Sequence, residues 1–421
     1  MDFRYSFAVM RFWIVLCSLG LLLVGCRHTG GDAPLAYDPP GSTVTTTKEI
    51  VPQIRQTFAF EQAGLWVSND FAGARLNEFY QTDDSVYTAV IRPENAPINN
   101  SAWYAFKIWA KRPQTVKIRL TYEDGDHRYV PKLSRDGKTW TPLDAASYAH
   151  DTTDGTATLR LRLRPDTLWV AGQEVITSKE FAQWMDGLVR HPYVTQRVIG
   201  QSRQGRPLRM LTITEAPEPS RYVLVISRQH PPEVTGTHAA LAFLETIAGD
   251  SDLAQAFRRE FAVLAVPLMN PDGVDNGHWR HNAGGVDLNR DWLHFNQPEA
   301  RLVSEVFGAL KKKKGATVYF GIDFHSTQDD VFYTLSRDLK TDPPGFIDAW
   351  LNALRVAFPD YYVNDEPYGL GSPVSKNWFY ETFGAPATTY EVGDESDRAL
   401  IRTLSAGAAE AMMKLLLKEV E

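Results

Sequence analysis

The sequence predicts a two-domain protein in which an antiparallel β-sandwich precedes an α/β domain with a mixed, mostly parallel sheet flanked by helices. Three observations support this fold class. Short segments of alternating polar and apolar residues fill most of residues 50–172, whereas continuous apolar runs alternate with helical patterns in residues 173–421. The length of 421 residues also suits two domains of ordinary size.

Residues 1–25 are predicted to be a secretory signal. Arg4 and Arg11 precede an apolar run that ends directly at Cys26. The letters LVGC at its end resemble a bacterial lipoprotein box, which would make Cys26 the lipidated first residue and the lipid bilayer a partner. The resemblance to such lipoproteins also implies that Arg27, in place of an aspartate, favours the outer membrane of a bacterial envelope, with the protein facing the periplasm or the surface. The alternative is an ordinary signal peptide followed by a chance cysteine.

Residues 26–49 are predicted to be a flexible tether, because they are rich in Gly, Pro, Ser and Thr and lack apolar periodicity. The chain has two cysteines, and Cys17 would leave with the signal, so no intrachain disulfide is expected. A formal net charge of -7 argues against a nucleic-acid partner. The sequence leaves the oligomeric state open.

Residues 50–172 are predicted to form the β-sandwich. Leu159 and Leu161 alternate with arginines, and turn sequences such as SRDGK separate the strand-like segments. Trp103 and Trp140 could belong to a glycan-binding surface. Aromatic residues in half-buried strands more often fill a core or a domain interface, and we expect that role for them here.

Residues 173–421 are predicted to form the α/β domain. It opens with a capping box from Thr177 to Glu180, followed by apolar residues at helical spacing. Four apolar runs then indicate buried strands, and four helical patterns accompany them. The runs are residues 222–226, 261–266, 318–324 and 388–392, and the helical patterns lie near residues 235–248, 298–313, 344–357 and 396–418.

Two of these apolar runs end in residues that can bind a metal. His230 and Glu233 follow the first run with the spacing of two zinc ligands, and His325 lies at the end of the third. Two histidines and one carboxylate leave a fourth position for water, which is the composition of a hydrolytic zinc site with one Zn²⁺ per chain. Alone, the HxxE pattern is common, and a hydrogen-bonded histidine at a strand end is the alternative.

Four further motifs follow in order along the chain. They are NPDG from Asn270, HWRHN from His278, GVDLNRDW from Gly285 and TTYEVGD from Thr388. Together with HPPE, they make roughly residues 180–415 resemble the M14 family of zinc carboxypeptidases. The segments SAWYAFKIWA and YVPKLSRDGKTW resemble, more loosely, the β domain that precedes the peptidase in cytosolic-type carboxypeptidases.

The resemblance implies roles for three residues near the metal. Glu391 matches the family's general base, which takes a proton from water and delivers it to the leaving amine. Arg280 matches the cation that polarises the scissile carbonyl and stabilises its oxyanion. Asp287 matches the carboxylate that orients a zinc histidine, here His230, through its second ring nitrogen.

The resemblance also implies substrate-binding residues. Asn289 and Arg290 match the pair that binds the terminal carboxylate of the substrate. Tyr368 resembles a mobile tyrosine that closes over substrate, and Lys376 matches the position at the base of the pocket for the departing side chain. A lysine there would select acidic or diamino-acid termini. A surface-loop tyrosine and an exposed loop lysine are the alternatives.

The predicted function is that of an exported, lipid-anchored zinc carboxypeptidase whose substrate is a peptide with a free C-terminal carboxylate. Cell-wall peptides and scavenged peptides both fit this prediction. A zinc deacylase of N-acyl amino acids shares the HxxE motif and a later histidine, and is the alternative on the same scaffold. A catalytically vestigial lipoprotein that binds peptide or glycan is the non-enzymatic alternative.

Overall fold

The computed structural model describes residues 48–420. The predicted signal, Cys26 and nearly all of the predicted tether lie outside these residues. Within residues 48–420, no helix is both long enough and apolar enough to cross a membrane.

The first part of the described chain consists of two β-sheets. Their strands are β1 (Thr57–Phe60), β2 (Leu65–Ser68), β3 (Glu78–Asp83), β4 (Val86–Ile91), β5 (Ala105–Ala110), β6 (Gln114–Tyr122), β7 (Lys132–Ser134), β8 (Thr141–Pro142), β9 (Tyr148–Asp151), β10 (Thr156–Leu163) and β11 (Leu168–Ala171). The strand order is β1-β2-β5-β11-β7-β8 in one sheet and β3-β4-β6-β10-β9 in the other. A 3₁₀ turn, Ala145–Ser147, leads into β9.

The inner faces of the two sheets share one apolar core, as the alternating pattern predicts. Ile118 of β6 pairs with Leu159 of β10, and both side chains are fully buried. Their neighbours Lys117 and Arg160 pair on the outer face and are exposed. Pairing is antiparallel except between β4 and β6, which run parallel because the chain between them passes through β5 of the opposite sheet.

Tryptophans of the β domain serve its core and its contact with the second domain, as expected. Trp103 lies in the core and donates its Nε1–H to the carbonyl of Gly73 at 2.8 Å. Its own carbonyl accepts the Nε1–H of Trp279, from the second domain, at 3.0 Å. Trp140 is half-buried and packs against the same core.

The second part of the chain is an α/β domain. Its elements are α1 (Ser178–Leu188), β12 (Val194–Gln201), β13 (Pro207–Ile213), β14 (Arg221–Ser227), α2 (Val234–Ile247), α3 (Asp252–Glu260), β15 (Phe261–Val266), α4 (Pro271–Asn276), α5 (Pro298–Gly308), β16 (Thr317–Thr327), β17 (Val331–Thr334), α6 (Phe346–Ala357), β18 (Asp365–Pro367), α7 (Ser375–Phe383), β19 (Ala387–Gly393) and α8 (Arg398–Lys418). Two 3₁₀ turns, Leu288–Arg290 and Ala309–Lys312, complete it.

One eight-stranded sheet organises this domain, in the order β12-β13-β15-β14-β16-β19-β17-β18. The central strands β15, β14, β16 and β19 are parallel, and antiparallel pairs flank them. Along β14, Val223 and Val225 enter the core beneath α2, α6 and α8, whereas Tyr222 and Leu224 enter the core beneath α5 and α7. Both faces are therefore covered, which confirms the predicted mixed sheet flanked by helices.

Local sequence signals account for several element boundaries. The predicted capping box at α1 is present, since Thr177 and Glu180 each bond to the backbone of the other. Each of the four predicted strands forms within three residues of its expected ends. The short helix α7 escaped prediction, because the sequence SKNWFYETF places aromatic residues on several sides and shows no clear apolar stripe.

Candidate metal centre and active-site cavity

Three side chains that can bind a metal converge near the carboxyl ends of β14 and β16. Nδ1 of His230 lies 2.7 Å from Oε1 of Glu233, and Nδ1 of His325 lies 2.7 Å from Oε2 of Glu233. The two Nδ1 atoms are 3.2 Å apart. Each residue is buried and offers one ligand atom to a common point, with all of these atoms within 4.8 Å of one another. The donor set is that of a zinc site.

The turn between β14 and α2 has a conformation that brings His230 and Glu233 together. The backbone of Arg228 has a φ angle of 56°, a left-handed conformation that directs the chain out of the strand. Its guanidinium donates to the carbonyl of Pro231 at 2.8 Å and to Oγ1 of Thr237 at 2.7 Å, which holds the turn against α2. Glu233 then begins the helix as its N-cap residue.

A close approach of α2 to β16 brings the third candidate ligand to the first two. A Cβ atom on Gly236 would lie only 2.2 Å from the carbonyl oxygen of His325. The absence of a side chain at this position is therefore what allows the first turn of α2 to contact the strand.

Each histidine has a carboxylate on its other ring nitrogen. Oδ1 of Asp287 lies 2.8 Å from Nε2 of His230, the geometry expected for the orienting role predicted for Asp287. Oδ2 of Asp323 lies 2.7 Å from Nε2 of His325 in the same way. Sequence reasoning missed Asp323 as an orienting group. The sequence did contain a signal for this role. Asp323 lies two residues before His325 in the predicted strand, and residues i and i+2 of a strand share a face.

The two orienting carboxylates are fully buried and held by several donors. Burial opposes the ionisation of Asp287, but the Arg280 guanidinium and the His230 ring outweigh it and hold the pKa of Asp287 well below its ordinary value. Asp323 accepts a hydrogen bond from Nε2 of Gln229 at 2.6 Å and another from the Ser375 hydroxyl. These partners fix the orientation of both carboxylates and hence of both imidazole rings.

Glu391 lies on β19, directly opposite His325 in the parallel ladder with β16. Its half-buried carboxylate lines the cavity, and within residues 48–420 its Oε2 atom has no hydrogen-bond partner. Burial raises the pKa of Glu391 to about 7, against the lowering effect of His325. A carboxyl group with a pKa near neutrality is suited to accept and return a proton.

Arg280, Asn289 and Arg290 lie around the same cavity. Nε of Arg280 donates to Oδ2 of Asp287 at 2.7 Å, so the guanidinium is tied to the carboxylate that contacts His230. The 3₁₀ turn that contains Asn289 and Arg290 follows Asp287 directly, and Asp287 accepts the backbone N–H of Asn289 at 2.8 Å. Nη1 of Arg290 donates to the carbonyl of Asn289 at 2.9 Å.

Lys376 lies at the amino end of α7 and is 1% exposed, so the alternative of an exposed loop lysine is wrong. Its ammonium group donates to the carbonyls of Thr334 at 2.9 Å and Tyr368 at 2.8 Å. Burial lowers its pKa to about 8. Tyr368 is 51% exposed at the edge of the cavity, and this exposure fits both the predicted mobile tyrosine and the alternative of a surface-loop tyrosine.

The predicted metal-binding, catalytic and substrate-binding residues, except His325, border one cavity of about 630 Å³. The β domain contributes part of its wall, which no sequence motif indicated. These β-domain residues are Asn99, Asn100, Ser101 and Arg128. Nε of Arg128 donates to Oδ2 of Asp394 at 2.7 Å, three residues after Glu391. The cavity is therefore formed by both domains.

Comparison with known proteins identifies relatives of this arrangement. The sequence profile of the M14 peptidases, described as zinc carboxypeptidase, matches residues 181–403. An uncharacterized protein of Zymomonas mobilis is 24% identical over 345 residues, which cover 78% of this chain and 87% of the relative. Mouse cytosolic carboxypeptidase 3 is 23% identical over 340 residues, which cover 70% of this chain. The match spans only 32% of that longer protein.

Solved structures share the fold across both domains. A metallo-carboxypeptidase from Burkholderia cenocepacia superposes with a TM-score of 0.70 at 20% identity, over 85% of this chain and 99% of the other. A metallo-carboxypeptidase from Pseudomonas aeruginosa, in complex with (2-guanidinoethylmercapto)succinic acid, gives 0.69 at 20% identity over 84% and 100%. Residues 173–421 alone could not supply these fractions of the chain, so the likeness includes the β domain.

Proposed function

Because the chain belongs to the M14 family of zinc carboxypeptidases, we propose that it hydrolyses the C-terminal peptide bond of peptides that end in a free carboxylate. One observation carries the proposal. Two of the three candidate metal ligands, a carboxylate suited to proton transfer and two arginines border a single cavity of about 630 Å³, and the third ligand, His325, contacts the first two. A vestigial binding protein would not need to retain all of these groups together.

His230, Glu233 and His325 would hold one Zn²⁺. When bound, the metal supplies Lewis-acid chemistry, which polarises the scissile carbonyl and brings the pKa of water toward neutrality. The chain's own residues set the geometry for this chemistry. Asp287 and Asp323 hold the two imidazole rings so that each presents Nδ1 to the metal.

Glu391 and Arg280 would carry the proton and charge movements of hydrolysis. Glu391 accepts a proton from the attacking water and delivers it to the nitrogen of the leaving amine as the peptide bond breaks. Arg280 stabilises the negative charge that develops on the carbonyl oxygen. Its ion pair with Asp287 fixes the guanidinium before reaction, so little reorganisation is needed.

Asn289 and Arg290 would bind the terminal carboxylate of the substrate, and Lys376 would bind its terminal side chain. A guanidinium matches a terminal carboxylate because it donates two parallel hydrogen bonds. Lys376 has three N–H donors, and two of them bond to backbone carbonyls in the cavity wall. The third would bind an anionic side chain of the substrate, so we propose a preference for acidic termini or for the second carboxylate of a diamino acid.

The preference for acidic termini is expected to depend on pH with a defined sign. Burial lowers the pKa of Lys376 to about 8, so the ammonium form is present below that pH and is lost as pH rises through it. The ratio of kcat/KM for Glu-terminated and Leu-terminated peptides should therefore fall between pH 7 and pH 9. The matched variant Lys376→Met should show a low ratio that does not change with pH. A wild-type ratio that is flat over this range would remove Lys376 as the selector.

Peptides of the cell wall or peptides scavenged from the surroundings fit this specificity, and we propose that the protein acts on them from the bacterial envelope. The proposal of location rests on the predicted signal and on Cys26 alone. Cys26→Ala should abolish lipid attachment and release the protein from membranes without detergent, whereas a Cys17→Ala control stays membrane-bound. Lipid-dependent membrane association of the Cys26→Ala protein would overturn the anchoring proposal.

The test of the activity is direct. Purified protein should contain one zinc per chain and should release the terminal residue from peptides with free carboxylates, while peptides with an amidated C-terminus are cleaved much more slowly. A panel of N-acyl amino acids measured in parallel distinguishes a deacylase, which would cleave these and leave peptides untouched. A metal-free protein that cleaves neither panel after addition of zinc would exclude the enzyme.

A further inference from the structure

A buried glutamate of the β domain contacts the segment that carries Arg280. Glu94 follows β4 and is 0% exposed. Its two oxygens accept backbone N–H groups from three consecutive residues of the second domain. The distances are 2.7 Å to Trp279, 3.0 Å to Arg280 and 2.7 Å to His281.

The carboxylate is charged in this position although it is fully buried. Burial opposes its ionisation, but His278, His281 and Arg75 outweigh burial and lower the pKa of Glu94 to about 2. Nη2 of Arg75 lies 3.8 Å from Oε2 of Glu94. A buried carboxylate with this many donors is held in one orientation.

Residues of the β domain make several hydrogen bonds with the segment from Trp279 to His281. The segment lies in neither a helix nor a strand, so regular backbone hydrogen bonding does not hold it. The Trp279 side chain donates to the carbonyl of Trp103 at 3.0 Å, and Nδ1 of His281 lies 2.6 Å from Oδ1 of Asn95. These contacts come from the β domain, and the second domain adds one from the His278 ring, whose Nδ1 lies 2.9 Å from the carbonyl oxygen of His281.

The same segment leads directly to the metal centre. Nε of Arg280 donates to Asp287 at 2.7 Å, and Asp287 contacts His230 at 2.8 Å. A displacement of the 279–281 backbone would therefore move the guanidinium relative to the reacting carbonyl. Displacements of this kind are costly, because a misplacement of about 1 Å can lower a rate by about 100-fold.

We propose that Glu94 is a positioning residue for the reaction, through which the β domain sets the place of the Arg280 guanidinium beside the metal centre. The inference rests on the proposed function, and specifically on the role of Arg280 in stabilising the oxyanion. It gives the β domain a part in catalysis as well as a part in the fold.

The test uses Glu94→Gln in the full chain. The amide keeps the shape of the side chain, but its nitrogen cannot accept a hydrogen bond, so at least one of the three N–H groups loses its acceptor. We expect kcat per zinc-loaded molecule to fall by about 10- to 100-fold, with KM changed by less than about twofold and zinc content unchanged. The control is Glu174→Gln. It removes a carboxylate that does not contact this segment and that accepts a hydrogen bond from Nε of Arg398 at 2.8 Å. It should leave kcat within about twofold.

A double-mutant cycle separates positioning from simple stabilisation of the fold. If Glu94 acts through Arg280, the loss of kcat caused by Glu94→Gln should largely disappear in an Arg280→Ala background. A loss of the same size in both backgrounds, or an unchanged kcat in the single variant, would overturn the inference. If Glu94→Gln does not fold, Asn95→Ala enters the same cycle with the same expected outcomes. An inactive wild type would instead count against the proposed function.

Discussion

Replacement of Glu391 by glutamine is expected to lower kcat by at least about 100-fold while the metal stays bound. The carboxylate lies on β19 opposite His325 and is not one of the three converging ligands. Glutamine has the same shape but cannot accept a proton from water or return it to the leaving amine. The loss should therefore appear in the chemical step, with little change in substrate binding.

The measurement for Glu391→Gln combines turnover, zinc content and binding of a non-hydrolysed inhibitor. Zinc content and inhibitor affinity should match those of the wild type, which shows that the cavity is intact. The matched control is Glu366→Gln, which changes an exposed glutamate on β18 and should leave turnover unaltered. Turnover of Glu391→Gln at the wild-type level would remove Glu391 from the mechanism.

Replacement of Arg290 by alanine is expected to lower kcat/KM for peptides with a free carboxylate by about 10- to 100-fold. This range corresponds to hydrogen bonds with a charged group, which contribute about 1.5 to 3 kcal/mol. The same peptides with an amidated C-terminus are poor substrates already, and their kcat/KM should change by less than about threefold. The difference arises because only the carboxylate engages both N–H groups of the guanidinium.

Arg290→Lys serves as the matched variant, since it keeps the charge but loses the planar pair of donors. Its kcat/KM for free-carboxylate peptides should lie between those of the wild type and Arg290→Ala. Thermal unfolding of all three proteins should be compared, because Arg290 donates to the Asn289 carbonyl in the 3₁₀ turn. Equal losses for free and amidated peptides would show that the residue serves the fold.

The β domain contacts the active-site region of the second domain at several places. Besides Glu94, it supplies Arg128, which pairs with Asp394 shortly after Glu391, and Lys132, which pairs with Glu395 at 3.1 Å. Residues 279–281 and residues 394–395 are thus both attached to the first domain. Isolation of residues 173–421 would remove the partners of Asp394 and Glu395 and the acceptor of the backbone N–H groups of residues 279–281.

Much of the fold was predictable because its signals are local. Alternation along β10, the capping box from Thr177 to Glu180 and the continuous apolar run of β15 each occupy a few consecutive residues. A period of two or an unbroken apolar run determines which faces can be buried, whatever the rest of the chain does. The parallel pairing of β4 with β6 was not predictable in this way, because it depends on the path of the chain between two sheets.

Residue types and short spacings were enough to predict the family and the candidate ligands His230, Glu233 and His325. They also predicted the alternating strands of the first domain and the continuous apolar strands of the second. Tertiary structure alone decided that Glu94 accepts N–H groups 185 to 187 residues away, and that Lys376 is buried in the cavity wall. The physical reason is that such contacts carry no local period. They depend on which surfaces meet when two domains pack, and a buried polar group reveals its partner only when the chain has brought that partner within hydrogen-bonding distance.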